Sequence, residues 1–169
     1  DVVELMSRAG ENGTELLLEL LAKAPTIAER RGLIQALRSM KDDGKVQLVN
    51  MLSHPEWFVV RNVADLIGEL RIEEATDRLG KEMEHADARV RRAVGVALAK
   101  IGTPAAARYL RKVLRDADGQ VRLETAKAID GKGMAGLAAV LAGVYDGETD
   151  AMVRAELCRA LGRVGTPEA

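Results

Sequence analysis

The sequence predicts an all-α protein, a solenoid of stacked antiparallel helix pairs, and three observations predict it. The first is a recurrence: Asp87, Val90 and Arg91, then Asp118, Val121 and Arg122, then Asp150, Val153 and Arg154 stand 31 and 32 residues apart. Self-similarity at a period of about 20–50 residues marks arrays whose units pack only on their neighbours. The second is the apolar ladder after each Val, which climbs in steps of three and four, the period of an amphipathic helix. The third is a further apolar-periodic segment between successive ladders, so that each unit holds two helices. No Asn-Gly or Asp-Gly joins two alternating runs, so no strand is expected; Asp118-Gly119 and Asp146-Gly147 fall between helices.

In chain order, Val2, Leu5, Met6, Ala9 and Gly10 carry the register of a ladder, and Leu16 to Leu21 forms the segment after it. Leu33, Ala36, Leu37 and Met40 make the next ladder, followed by Val46 to Leu52. Val63, Leu66, Ile67 and Leu70 precede the segment from Ala75 to Met83. Val94, Ala97, Leu98, Ile101 and Gly102 precede Ala106 to Leu114. The unit opened by Asp118 leads to Leu137 to Val144, and Leu157, Ala160, Leu161, Val164 and Gly165 close the series. The closing Gly suits the left-handed residue just past a helix, and the Thr103-Pro104 and Thr166-Pro167 pairs read as cap and first-turn proline.

Helix, Asp-bearing turn, Val-Arg, Ala-rich helix and closing Ile-Gly or Val-Gly resemble the HEAT-like repeat, above all the short form of bacterial and archaeal proteins and phycobilisome lyases. The resemblance covers nearly the whole chain and implies a right-handed solenoid of about five repeats over residues 1–169. Two units depart from the motif: residues 26–40 carry Arg30 and Arg31 without Asp-x-x-Val-Arg, and residues 56–70 carry Glu56 and read Val59-Val60-Arg61. The resemblance fits a non-enzymatic protein-binding scaffold, with a phycobilin lyase or isomerase subunit and a DNA-binding module as alternatives. It also implies that the matching Arg and Asp of neighbouring units form a ladder: Asp87, Arg91, Asp118, Arg122, Asp150 and Arg154. The residues alone place those Asp side chains at helix N-caps, where they accept from free backbone N–H groups.

Composition bounds the reading. A chain of 169 residues, 47% hydrophobic and 30% charged with net charge -1, can bury a continuous core, and a soluble cytoplasmic protein is expected. No apolar run approaches the roughly 20 residues of a membrane helix, and no signal peptide is evident. The single cysteine, Cys158, excludes an internal disulfide and falls on the apolar stripe of its helix, where an inert core residue is expected. The first residues and the Thr166-Pro167-Glu168-Ala169 tail lack the polar caps a solenoid needs, so a fragment of a longer protein, or self-association through exposed ends, is expected.

No catalytic constellation emerges, and neither a cofactor nor a metal is expected. His54 and His85 occupy the same turn of adjacent units, but packed helices stand about 8–10 Å apart, too far for two ligands within about 2 Å of one ion. A polar role near a helix C-terminus is the reading for both. The HEAT-like metal hydroxylases use His-Glu pairs, and this chain has no His-Glu dipeptide. Gly131-Lys132-Gly133-Met134-Ala135-Gly136 fits G-x-G-x-x-G by letter but follows a helix and has no strand beside it, so it reads as a turn. Lys132 stands where Met40, Leu70, Ile101 and Val164 supply an apolar contact, which suggests a hinge.

The resemblance implies that the Val-Arg helices line a concave, protein-binding face. Its expected exposed residues are Arg31, Gln35, Arg38, Asn62, Asp65, Glu69, Arg92, Val96, Lys100, Glu124, Lys127, Glu156, Arg159 and Arg163. Arg31, Arg61 and Arg92 fall in one register as a short basic stripe that Leu123 and Ala155 end. A near-zero net charge with four aromatics argues against nucleic acid. Trp57 is either a partner anchor or a turn-packing residue. Among the other helices, Asp77 faces Arg108 and Glu84 faces Arg115 by register. Residues 134–145 carry no charge, and Ala139, Ala142 and Gly143 form a small-residue face open to a missing segment or a second copy.

Overall fold

The computed structural model describes residues 42–131 and 136–165. Within them lie eight α-helices and no strand: α1 (Asp42–Asn50), α2 (Trp57–Leu70), α3 (Thr76–Glu82), α4 (Ala88–Ile101), α5 (Pro104–Val113), α6 (Gly119–Ala128), α7 (Leu137–Tyr145) and α8 (Ala151–Val164). Single 3-10 turns follow α1 and precede α3. The Val-Arg helices α2, α4, α6 and α8 pack side by side in chain order. A second row runs behind them, with α3 on the turn after α1, α5 on α3 and α7 on α5. The protein is an all-α solenoid.

The turns explain where each helix starts. Asp87 accepts from Arg89 N, Asp118 from Gln120 N and Val121 N, and Asp150 from Met152 N and Val153 N, so three of the Val-Arg helices carry side-chain N-caps. Thr103 caps α5 through Ala106 N, with Pro104 in the first turn. Glu56, standing before α2, makes no cap bond. Gly102 ends α4 at φ 70°, the left-handed closure expected of it, whereas α2 closes on the non-glycine Arg71 at φ 51°.

Between the rows runs one continuous core, from Leu48 and Leu52 through Ile67, Leu79, Leu98, Leu110 and Ile129 to Leu141 and Leu157. Small residues set how closely the Val-Arg row packs. A Cβ on Gly68 would stand 2.8 Å from Ala97 Cα, and one on Gly95 would stand 2.1 Å from Thr125 Oγ1. Thr125 is fully buried and its hydroxyl has no partner among the described residues. Its register mates are Val63, Val94 and Leu157, all apolar and buried. Thr125→Val removes an unsatisfied polar atom at nearly constant shape and is expected to raise stability by about 1 kcal/mol, read from urea melts.

One helix breaks the pattern. α6 stops at Ala128, a turn short of α4, and its neighbour reaches across its end: Arg163 of α8 donates to Ile129 O at 2.7 Å and to Ala126 O at 3.0 Å, which also accepts from Ile129 N. The chain then turns at Gly131, φ 80°, where a Cβ would come within 2.2 Å of Arg163 O. Only glycine fits both the conformation and the approach. Lys132, and with it the hinge, lies outside the described residues, as do Arg31, Gln35, Arg38 and the tail from Thr166.

Three burial expectations are corrected. Cys158 is exposed. Its register mates Ala64, Gly95 and Ala126 are buried on the side each helix turns to the next, and α8 is the last described helix of that row. Asn62 and Glu156, expected at the surface, are each only 5% exposed, and Leu123 is buried as well. They stand one helical step inside the exposed edge, so the true open face is narrower than the sequence register suggests.

Candidate functional site

Two arginines of the recurrent motif form ladder rungs, but not with the Asp of that motif. Arg91 grips Asp116, with Nε to Oδ2 at 2.7 Å and Nη2 to Oδ1 at 3.0 Å. Arg122 grips Glu148 in the same way, at 2.7 and 3.0 Å. Each of these arginines also uses Nη1 to donate to two carbonyls of its own entry turn: His85 and Ala86 for Arg91, Asp116 and Ala117 for Arg122. Every rung is thus a planar fork on a carboxylate of the next unit, anchored behind by backbone. The acid is not the capping Asp but the residue two before it. Asp118 and Asp150 direct an oxygen at the N–H groups of their own helices, which removes them from the ladder.

That position forms a column through the units: His54, His85, Asp116 and Glu148. All four accept from the backbone N–H two residues on, the histidines through Nδ1 at 3.0 Å and Asp116 and Glu148 through carboxylate oxygens at 2.8 and 2.9 Å. The histidines, each just past a helix end as expected, are therefore also turn-closing acceptors. The column also explains why His85 is not an acid. The preceding unit has Val60 where Arg91, Arg122 and Arg154 stand in the others, so no guanidinium reaches His85 from below. Arg154 repeats the anchoring half of the rung, donating to Glu148 O at 3.0 Å beside the Tyr145 ring, while its Nε and Nη2 meet no acceptor among the described residues.

Charge and burial act together on these groups. Burial pushes the Glu148 carboxyl up, but the bonds from Arg122 and from Asp150 N and Thr149 N outweigh it and hold it below the usual glutamate range. Asp116 balances burial against Arg91 with the same net result. The guanidinium of Arg89 holds exposed Asp87 at about 2.

Beside the ladder, on the outer edge of α2, α4 and α6, lies a cleft of about 320 Å³. Arg61 and Arg92, register mates on neighbouring helices, both line it, together with Arg89, Ala93, Val96, Asp65 and Glu124. The two described members of the basic stripe thus share one cavity, and buried Leu123 ends the stripe. Trp57 is half-buried beside it: the Arg89 guanidinium lies 3.5 Å from the indole centroid, and Phe58 meets the ring edge-on at 6.0 Å. Its ring lies between Phe58 of its own helix and Arg89 of α4.

Much of the expected face is already engaged. Lys100 pairs with Glu69, Lys127 with Glu124, and Arg159 and Arg163 both with Glu156. Of the eight arginines on α2, α4, α6 and α8, Arg92 is the one with no hydrogen bond, ion pair or ring contact among the described residues. In the second row Asp77 does meet Arg108, at 3.9 Å, and accepts from Tyr109. Glu84, however, pairs with Lys112, because Arg115 reaches forward to Gly143 O at 3.0 Å. Ala139, Ala142 and Gly143 are exposed on α7. Among the described residues no group of His, Cys, Asp and Glu is placed to hold a metal ion, and no helix is long and apolar enough to cross a membrane.

The family model for HEAT repeats matches residues 46–130 and 110–169. The chain is a HEAT-repeat protein. The match is to HEAT repeats as such and does not single out the lyase form. No curated protein matches the chain. Two crystal structures of engineered proteins share its fold at 21% identity. One aligns with a TM-score of 0.62 over 96% of this chain and 82% of that one. The other aligns with a TM-score of 0.51 over 96% of this chain and 49% of that one. In HEAT terms the rungs join consecutive repeats, and the cleft lies across three successive repeats on the helices that carry the Arg.

Sequence reasoning missed the column that supplies the carboxylates. Its signal was present, since the spacing that links His54 to His85 leads on to Asp116 and Glu148.

Proposed function

We propose that this HEAT array is a non-enzymatic protein-binding scaffold, and that the partner lies on the outer edge of the Val-Arg helices, centred on Arg61, Arg92 and Val96. The reading rests on one observation: three successive helices together form a cleft whose edge holds an unpaired guanidinium beside half-buried apolar surface. An interface wants such a centre, apolar and arginine-bearing, with engaged ion pairs around it.

Immobilised protein is expected to retain a partner from lysate of its source. Val96→Asp should abolish retention while leaving the melt within about 1 kcal/mol of the parent, because Val96 is only half-buried. Arg111→Glu, on the exposed side of the second row, should retain the partner as the parent does. Equal retention by the Val96→Asp variant, or loss with Arg111→Glu instead, places the contact elsewhere.

A further inference from the structure

We infer that the cleft between Arg61 and Arg92 is a carboxylate site, and that the segment it takes is an acidic peptide with an apolar residue next to the acid. The inference rests on the binding face proposed above and names the chemistry that face selects.

The chain itself shows how its arginines are satisfied. Arg91 and Arg122 each close a two-bond fork on a carboxylate, Arg154 and Arg163 take carbonyls, Arg159 takes Glu156, Arg89 takes Asp87, and Arg61 donates Nε and Nη2 to Asn62 Oδ1. On these four helices, and among the described residues, Arg92 alone lacks an acceptor, although it is half-buried and its neighbour Arg91 is fully bonded. A partly desolvated guanidinium without acceptors gains most from an incoming carboxylate, which meets its fork with two charge-assisted bonds. Arg61 stands one helix away at the same register and faces the same cavity. A carboxylate at Arg92 therefore lies in the field of both.

The rest of the lining decides between anions. Asp65 and Glu124 line the same cleft, and Lys127 offsets only the Glu124 charge in part. A dianionic phosphate, or the repeating charge of a nucleic-acid backbone, meets their repulsion, whereas a single carboxylate with a neutral neighbour can turn that neighbour toward them. Val96 and Ala93, which line the cleft with the arginines, offer that neighbour an apolar seat. The cleft volume of about 320 Å³ holds a few side chains, not a folded surface loop.

The protein carries its own reporter. Trp57 is the single tryptophan, and Arg89, which lines the cleft, lies on its ring. A ligand that engages the cleft guanidiniums changes the indole's surroundings. The experiment titrates the full chain with a capped peptide of alternating Glu and Leu, reading Trp57 emission and, in parallel, calorimetric heat. Saturable binding is expected, weakened roughly tenfold or more by Arg92→Gln and more by Arg92→Glu, with the circular dichroism of both variants unchanged. The peptide with Gln in place of Glu should not bind.

Binding of the Gln peptide as tight as that of the Glu peptide overturns the carboxylate assignment. So does binding of the Glu peptide undisturbed by Arg92→Gln, or tighter binding of a phosphoserine peptide or a short DNA duplex. If Val96→Asp abolishes partner retention while the Glu peptide never binds the parent protein, the binding face stands and the carboxylate site falls. If neither effect is seen, both fall.

Discussion

Arg122→Ala is expected to lower stability by about 3–5 kcal/mol, the usual cost of stranding one member of a buried ion pair. The fall in Tm should be roughly 10 °C for a chain of this size. The pair is the more enclosed of the two rungs, with side-chain exposures of 16% for Arg122 and 4% for Glu148. Removing the guanidinium leaves Glu148 its Thr149 and Asp150 N–H bonds but no countercharge, and leaves the Asp116 and Ala117 carbonyls without their donor. Arg91→Ala should cost less, since Asp116 keeps more water at 10% exposure. Arg122→Lys should recover only part of the loss, because an ammonium cannot bridge both carboxylate oxygens and the carbonyls behind it.

The same rung fixes an acid limit. Glu148 titrates below its ordinary value in the folded protein, so its contribution is fully present above the unfolded glutamate pKa and is lost as the pH falls through the folded one. The stability difference between the parent and Arg122→Ala should therefore be largest at about pH 7 and smaller at about pH 3, the direction in which Glu148 takes up a proton. Urea melts at the two values check it. A variant that melts like the parent at neutral pH, or a difference that persists in acid, means the rung is not held by the Glu148 charge.

Much of the fold was legible because periodicity reports burial, and burial is what drives helices to stack. The 31-residue recurrence marks the units, and Asp87, Asp118, Asp150 and Thr103 mark helix starts through a purely local bond, from a side chain to an N–H two or three residues on. The rungs were harder to read. Their partners lie 25 and 26 residues apart, and each unit offers two acids within one turn, so only the geometry of the cap shows that the first is free to reach the neighbouring Arg. Cys158 was misplaced for a different reason. Register says which side of a helix a residue occupies, but not whether another helix lies on that side. The cleft combines both difficulties. Arg61 and Arg92 share a register that the sequence displays, yet Asn62 and Leu123, and Glu156 farther along on α8, turn inward, and that depends on the rotation of each helix in its row.

Val60 and His85 put the column to a direct test. Val60→Arg places a charge at a site only 1% exposed, and alone it is expected to cost about 3–5 kcal/mol. His85→Asp alone should be nearly neutral, because Asp116 in the same position of the next unit already shows that an Asp can accept the backbone N–H two residues on. Together the two changes rebuild the rung that joins Arg91 to Asp116 one unit later, with the same 25-residue spacing. The double variant should therefore be more stable than Val60→Arg alone by about 2 kcal/mol, a coupling well above the roughly 0.3–0.5 kcal/mol expected of independent sites. A His85→Asn partner separates charge from shape, since Asn accepts the N–H but offers Arg no second anionic oxygen. Coupling with Asp and not with Asn ties the identity of each column residue to the Arg beneath it. Equal coupling with both assigns the effect to turn geometry, and no coupling at all means that Val60 and His85 replace the rung independently.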